Sequence, residues 1–326
     1  MALDLGIQSS LVLPAVCAPM YLVSGPDLVR EACKSGIMAV LPSKNAQDLP
    51  GLDAWLTTIF NDLHIHVQEG GSAGPLAVNI SSSTKEEELG AYIDLCARHG
   101  VRVIVTAGRD PTPLARMAHD AGLLVFHDVT TVRFAEKAIS AGVDGLNCIG
   151  AGGGGHSGIL NSMVFVRKLR AMFSGTIVLG GAISDGASIR AAQALGADLA
   201  YMGTRFIATH ESMAPNEYKK MLVESTSKDL VYTSKVAGVY ANWLVPSLNQ
   251  VGLDPANLPQ PTGVGRRYDH LPKGALPWRT IWSAGQGIDL IHDIPTVREL
   301  VERLRTEYAS AWIEQREYEE VCPNVR

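Results

Sequence analysis

The chain has 326 residues, 46% of them hydrophobic, with 28 Lys and Arg against 33 Asp and Glu and a formal net charge of -5. That composition supports a sizeable packed core and excludes a disordered chain, and an acidic balance whose clearest basic run is "GRR" at 265–267 excludes a nucleic-acid partner. Five scattered cysteines with no CxxC pair exclude a disulfide framework or zinc site, and no run reaches the ~18 apolar residues of a membrane span.

The N-terminus "MALDLGIQSS" lacks the basic and apolar regions of a signal peptide, so the expected location is the cytoplasm, with reduced thiols. Short apolar runs then alternate with amphipathic stretches. The first run, "LVLPAVCAPM" (11–20), ends in Ala18, Pro19 and Met20, and "PDLVREACKSG" after it is a helical pattern closing on glycine. Next come "IMAVLPS" (37–43), "PLAVNIS" (75–81) with Asn79, "VRVIVTAG" (101–108) and "LLVFHDV" (123–129) with His127 and Asp128. "VDGLNCIG" (143–150) runs into "AGGGGHSG" (151–158), where a row of glycines precedes His156. "TIVLGGAI" (176–183) carries Gly180 and Gly181, and "DLAYMGTRFI" (198–207) carries Gly203 and Thr204.

Repeated β-α units with buried-type strands predict a parallel sheet, and eight of them predict an α/β fold closed into a (β/α)8 barrel over 1–207 rather than an open doubly wound sheet. Residues 208–275 lose the strand rhythm and read as a mostly helical cap inserted after strand 8. Residues 276–326 read as a returning segment followed by the last barrel helix, from the helical spacing of "TVRELVERLRTEYASAW".

Barrel enzymes place their chemistry at the C-terminal ends of the strands, and a phosphate often sits after strands 7 and 8. Gly180, Gly181, Gly203 and Thr204 occupy those positions, where backbone N–H groups can reach an anion without a Cβ in the way. The absence of GxGxxG after an early strand and of GxxxxGK[ST] argues against a dinucleotide fold or P-loop, so a mononucleotide phosphate fits better. His156 has the neutral-range imidazole a general base needs, though a loop histidine is also often satisfied by backbone. Cys17 and Cys148 read as small core residues. Tyr201, Tyr240, Trp243, Trp278 and Trp282 suit a ligand wall and core packing equally.

The ordered set "APM" (18–20), "VN" (78–79), "AGVDGL" (141–146), "AGGGGHSG" (151–158), "GGAISDG" (180–186), "MGTRFIAT" (202–209) and "AGQG" (284–287) resembles the nitronate monooxygenases, formerly 2-nitropropane dioxygenases, FMN-dependent TIM-barrel enzymes. The resemblance implies that Gly180, Gly181, Gly203 and Thr204 hold the FMN phosphate. It implies further that Ala18, Pro19, Met20 and Asn79 line the isoalloxazine, that Gly154 and Gly155 approach its ring or ribityl chain, and that Gln286 adds a contact. His156 takes the catalytic position. The implied reaction is oxidative denitrification of alkyl nitronates, or nitroalkanes, with dioxygen to a carbonyl compound and nitrite.

Asp128 stands where a related quinone-reductase group has lysine, and it has three readings: a flavin ring contact, a partner of His127, or a partner of Arg133. The alternatives to nitronate oxidation are an NAD(P)H-dependent flavin reductase of quinones or enoyl thioesters and a flavin-binding protein without turnover. Expected partners are the small substrate and dioxygen, with no metal, nucleic acid or membrane; a homodimer is compatible with the sequence.

Overall fold

The computed structural model describes residues 3–261 and 268–321; the basic run at 265–267 and Cys322 lie outside the described residues. Eight parallel strands close into a barrel in chain order: β1 (Ala15–Cys17), β2 (Met38–Pro42), β3 (Leu76–Asn79), β4 (Val103–Ala107), β5 (Leu124–Val129), β6 (Gly145–Ile149), β7 (Thr176–Gly180) and β8 (Leu199–Met202). Closure is made by β8 pairing back onto β1, Ala15 opposite Ala200 and Cys17 opposite Met202.

A short α1 (Leu5–Ser9) precedes the barrel, and the crossovers are α2 (Pro26–Lys34), α3 (Leu49–Gln68), α4 (Glu86–His99), α5 (Thr112–Asp120), α6 (Val132–Ser140), α7 (Ser162–Met172) and α8 (Gly186–Leu195). Side-chain alternation divides the core into two layers. Val16, Val40, Val105, Phe126, Val178 and Tyr201 fill the barrel interior, while Cys17, Leu41, Ile104, Val125, Cys148 and Leu179 pack outward against the helices. Local chemistry fixes how the helices begin and end. Thr131, Asn161 and Asp185 accept hydrogen bonds from the first turns of α6, α7 and α8, and α4 and α8 stop at Gly100 and Gly196 in the left-handed conformation.

Beyond β8 the chain is more irregular than a mostly helical cap. It forms α9 (Thr204–Ile207), α10 (Asn216–Glu224), an antiparallel pair of β9 (Leu230–Thr233) and β10 (Ala241–Leu244), and α11 (Val245–Gln250). The paired strands escape the sequence reading because four residues are too few to establish an alternation. The chain returns over the mouth near Gly285, and α12 (Val297–Val321) then packs against α8 and α2, completing the helical ring.

The α8–α12 contact depends on Gly186, since a Cβ there would sit on the backbone of Leu304 and Tyr308. Gly186→Ala is therefore expected to cost about 1–3 kcal/mol by overpacking, read as a lower urea midpoint at unchanged slope. An unchanged midpoint would mean that the two helices separate freely.

Cys17, Cys33, Cys96 and Cys148 are free and buried, and burial pushes their thiols up, Cys33 and Cys96 to about 12. They are core residues, not thiolate nucleophiles.

Candidate active site

The loops at the C-terminal ends of the strands meet at one mouth. After β1 the chain turns sharply at Met20–Ser24, with Leu22 in the left-handed region at φ 62°. Asn45 holds this turn: its Nδ2 donates to the carbonyls of Met20 (3.0 Å) and Ser24 (2.8 Å), and its Oδ1 accepts from Leu22 N (2.9 Å). Gly203 lies beside it, where a Cβ would be 3.6 Å from Met20 Sδ and 3.9 Å from Ala18 Cβ. Ala18 and Met20, with Pro19 between them, and Gly203 thus share one side of the mouth.

The loops after β6, β7 and β8 form a layer of backbone against backbone. Gly152 O accepts from Ala182 N (3.2 Å) and Gln286 N (2.9 Å), and Thr204 Oγ1 accepts from Gly285 N (2.8 Å). Gly181 has φ 115°, which requires glycine, and Ala182 follows at φ 59°, a strained value for a residue with a Cβ. At Gly154 a Cβ would be 2.7 Å from Gly285 N and 3.1 Å from Thr204 Oγ1. Glycines 152 to 154 therefore have a reason within the protein itself, close packing of chain on chain, and Gly155 is the one whose added Cβ would face open space. Gly180 packs beside Ile149 and Tyr201, and the Gln286 side chain is exposed.

Gly154→Ala should push the glycine loop off the returning segment. The expected result is a stability loss of about 1–3 kcal/mol, read as a lower urea midpoint at unchanged slope. An unchanged midpoint would mean that the loop moves aside without cost.

His156 is exposed at the end of this loop, and its ring meets Trp278 edgewise, with centroids 5.2 Å apart and planes at 73°. The residue after it is anchored to the β9–β10 pair: Ser157 N donates to Tyr240 O (3.2 Å) and the Tyr232 hydroxyl donates to Ser157 O (3.0 Å). Asn242, on β10 and 2% exposed, donates from Nδ2 to Ala151 O (3.1 Å) and Gly153 O (2.7 Å). Neither Asn45 nor Asn242 is singled out by the sequence motifs. The available signal for Asn242 is an amide within the apolar run "ANWLV", an uncommon strand residue whose burial demands partners.

Inside the barrel below the mouth lies a polar group of side chains. Asp128 follows Phe126 on the interior face of β5 and accepts from Asn147 Nδ2 (2.8 Å), and Asn79 donates to Val105 O (3.2 Å). The Tyr201 hydroxyl and Asn147 Oδ1 are buried without a protein partner. Asp128 keeps some exposure, yet desolvation, partly offset by Asn147, pushes its carboxyl up to about 7. His127 points the other way, into the helix layer, and burial lowers its imidazole to about 4 despite the charge of Asp110. Asp128 thus meets neither His127, on the opposite face of the strand, nor Arg133; its partner is Asn147.

The arrangement offers close backbone approach, an exposed imidazole and a carboxyl whose titration is raised to about 7. Among the described residues no group of three His, Cys, Asp or Glu is placed to hold a metal ion, and no helix is long and apolar enough to cross a membrane. A surface hollow lined by Arg170, Phe173, Gln193 and Asp198 lies at the N-terminal end of the barrel, away from this chemistry.

The profile of the nitronate monooxygenase family matches residues 67–307. A nitronate monooxygenase of Paraburkholderia phytofirmans is 29% identical over 204 residues, 57% of this chain and 55% of the relative. A (3aS,4S,5R,7aS)-5-hydroxy-7a-methyl-1-oxo-octahydro-1H-indene-4-carboxyl-CoA dehydrogenase of Mycobacterium tuberculosis is 27% identical over 229 residues, 69% of this chain and 61% of the relative. The chain therefore matches somewhat over half the length of these relatives. Among solved structures, FabK from Thermotoga maritima superposes with a TM-score of 0.77 at 23% identity, covering 97% of this chain and 99% of the other, a likeness of fold.

Proposed function

The chain belongs to the nitronate monooxygenase family, which makes it an enzyme, and from that premise we propose that it holds FMN at the barrel mouth and oxidises alkyl nitronates with dioxygen to a carbonyl compound and nitrite. The observation that carries this reading is the exposed imidazole of His156 at the rim of a glycine layer built from the loops after β6, β7 and β8.

The residues present fit such a cofactor. Gly180 and Gly181 with Gly203 and Thr204 offer backbone where barrels seat a phosphate, and Gly155 borders open space. The buried Tyr201 hydroxyl and Asn147 carbonyl are free to meet a polar ligand edge. Ala18, Pro19, Met20 and Asn79 would line its ring, with the Gln286 side chain at the rim. FMN, when bound, would supply the electron-accepting ring and the reaction with dioxygen.

This chain's own residues would bind and orient. His156 accepts the α-proton of a nitroalkane at an imidazole nitrogen, or donates a hydrogen bond to the nitro oxygens of a preformed nitronate. Asn242 and Tyr232 fix the loop that presents it. Asp128, its carboxyl raised to about 7 by burial, would carry less negative charge near neutral pH than an ordinary carboxylate does.

Anaerobic mixing of the FMN-loaded enzyme with a short alkyl nitronate, NADH and NADPH in parallel tests the reading. Bleaching by the nitronate alone is expected. Fast bleaching by a reduced nicotinamide would instead favour an NAD(P)H-dependent flavin reductase, with reoxidation by a quinone or by an enoyl thioester telling its acceptors apart. Failure to bind flavin at all would overturn both.

A further inference from the structure

We propose that Trp278 is a positioning residue for His156, its indole setting the plane in which the imidazole meets the substrate. The inference rests on the reading that His156 acts on the substrate, and it extends that role to the returning segment.

The backbone at Trp278 is itself unusual. Its φ of 60° lies in the left-handed region, which a bulky residue adopts only when its surroundings fix it there. Those surroundings are a tight turn: Trp278 N donates to Ile281 O (2.8 Å), Ile281 N to Leu276 O (3.1 Å), and the Thr280 hydroxyl to Gly274 O (2.9 Å) while accepting from Leu276 N (2.8 Å). The indole is fixed as firmly as the backbone. It leans on Trp243 at 5.1 Å between centroids and 45° between planes, and Trp243 is fully buried, its Nε1 donating to Thr233 O (3.3 Å). A strained residue braced on a buried aromatic, with its free side against an exposed histidine at 5.2 Å, is a rigid stop for that ring.

The segment that carries His156 is nearly all glycine: Gly154 and Gly155 precede it and Gly158 follows Ser157. Aromatic pairs prefer an edge-to-face arrangement, so the contact with Trp278 favours one range of imidazole orientations. A histidine aimed by a fixed partner loses less freedom on reaching the transition state.

The test compares Trp278→Phe, which keeps an aromatic face, with Trp278→Leu, which keeps bulk and removes the face. Both are loaded with FMN and assayed with a short alkyl nitronate and the parent nitroalkane. The Phe variant should stay within about threefold of the parent enzyme, whereas the Leu variant should lose about tenfold or more in kcat with KM changed by less than about threefold. The imidazole C2–H resonance of His156, displaced by the ring current of the indole edge beside it, should move in the Leu variant and stay near its parent position in the Phe variant. A Leu variant that acts through KM alone, or equal behaviour of both variants with an unmoved resonance, overturns the proposal. The NMR readout does not depend on which substrate is correct, so failure of the nitronate reading and failure of this inference are told apart.

Discussion

His156→Ala is expected to lower turnover of a nitroalkane by about 10²–10⁴-fold while FMN remains bound, because general-base catalysis by a positioned side chain is worth about that much. The fold should tolerate the change. His156 is exposed, the loop's anchors run through the backbone at Ala151, Gly153 and Ser157, and a surface truncation of this kind usually stays within about 0.5 kcal/mol. Loss of activity could then not be assigned to unfolding or to a lost cofactor. Two substrates divide the histidine's roles. A preformed nitronate needs no proton removed, so if His156 is a base, its loss should spare nitronate turnover and abolish nitroalkane turnover; if it binds the nitro group, both should fall, and His156→Gln should recover part of each. Unchanged rates with every substrate would mean that neither role belongs to His156, and no turnover by the parent protein would favour a flavin-binding protein without catalysis.

Asp128→Asn should raise stability at pH 8 by up to about 4 kcal/mol, an upper bound because the side chain keeps some exposure and Asn147 loses a charged acceptor. The folded carboxyl sits at about 7, above its ordinary 3.8, so between those values the unfolded chain releases a proton that the folded chain retains. Its contribution is complete below pH 3.8, declines as pH rises towards 7 and is lost above that. His127, at about 4 against an ordinary 6.5, behaves in the opposite sense, with a contribution present above pH 6.5 and lost as pH falls through 4. From about pH 4 to 6.5 the two slopes oppose each other, and the parent protein should show a shallow profile. The Asn variant should reveal the histidine, gaining stability with pH across that window, and His127→Leu should reveal the aspartate, losing it. Urea titrations at pH 4.5, 6.5 and 8 check this. Parallel profiles for all three proteins would mean that water reaches both groups.

The barrel was legible because its strands are buried on both faces and its helices are amphipathic, so composition alone marks eight units. The mouth was legible for the same topological reason: Ala18, Gly180, Gly203 and the loop of His156 all come to the same end of the sheet. The roles of individual side chains were less so. Asp128 could be placed on a strand but not on a face until Phe126 fixed the register. Glycines 152 to 154 stand in the sequence as a featureless run, and only the structure shows that their nearest neighbours include Ala182, Ile149 and Gly285, contacts between segments more than a hundred residues apart at the extreme. Asn45 and Asn242 act through backbone groups, which have no signature in a sequence, and only the amide within the apolar run "ANWLV" hints at the second. Trp278 could be read as core or as wall, and only its φ and its place beside His156 distinguish it.

The two donors on Gly152 O have a consequence for synthesis. The eighth strand leaves the ribosome by residue 202, but Gln286, which supplies one of those donors, follows some eighty residues later, and α12, which fills the gap between α8 and α2, later still. A nascent chain can therefore close its sheet before it has a finished mouth or a complete outer ring, and during that interval the apolar side of α8 stands uncovered. Chaperone dependence and sensitivity to protease should concentrate there, and flavin added during translation should be captured only after the last segment has docked.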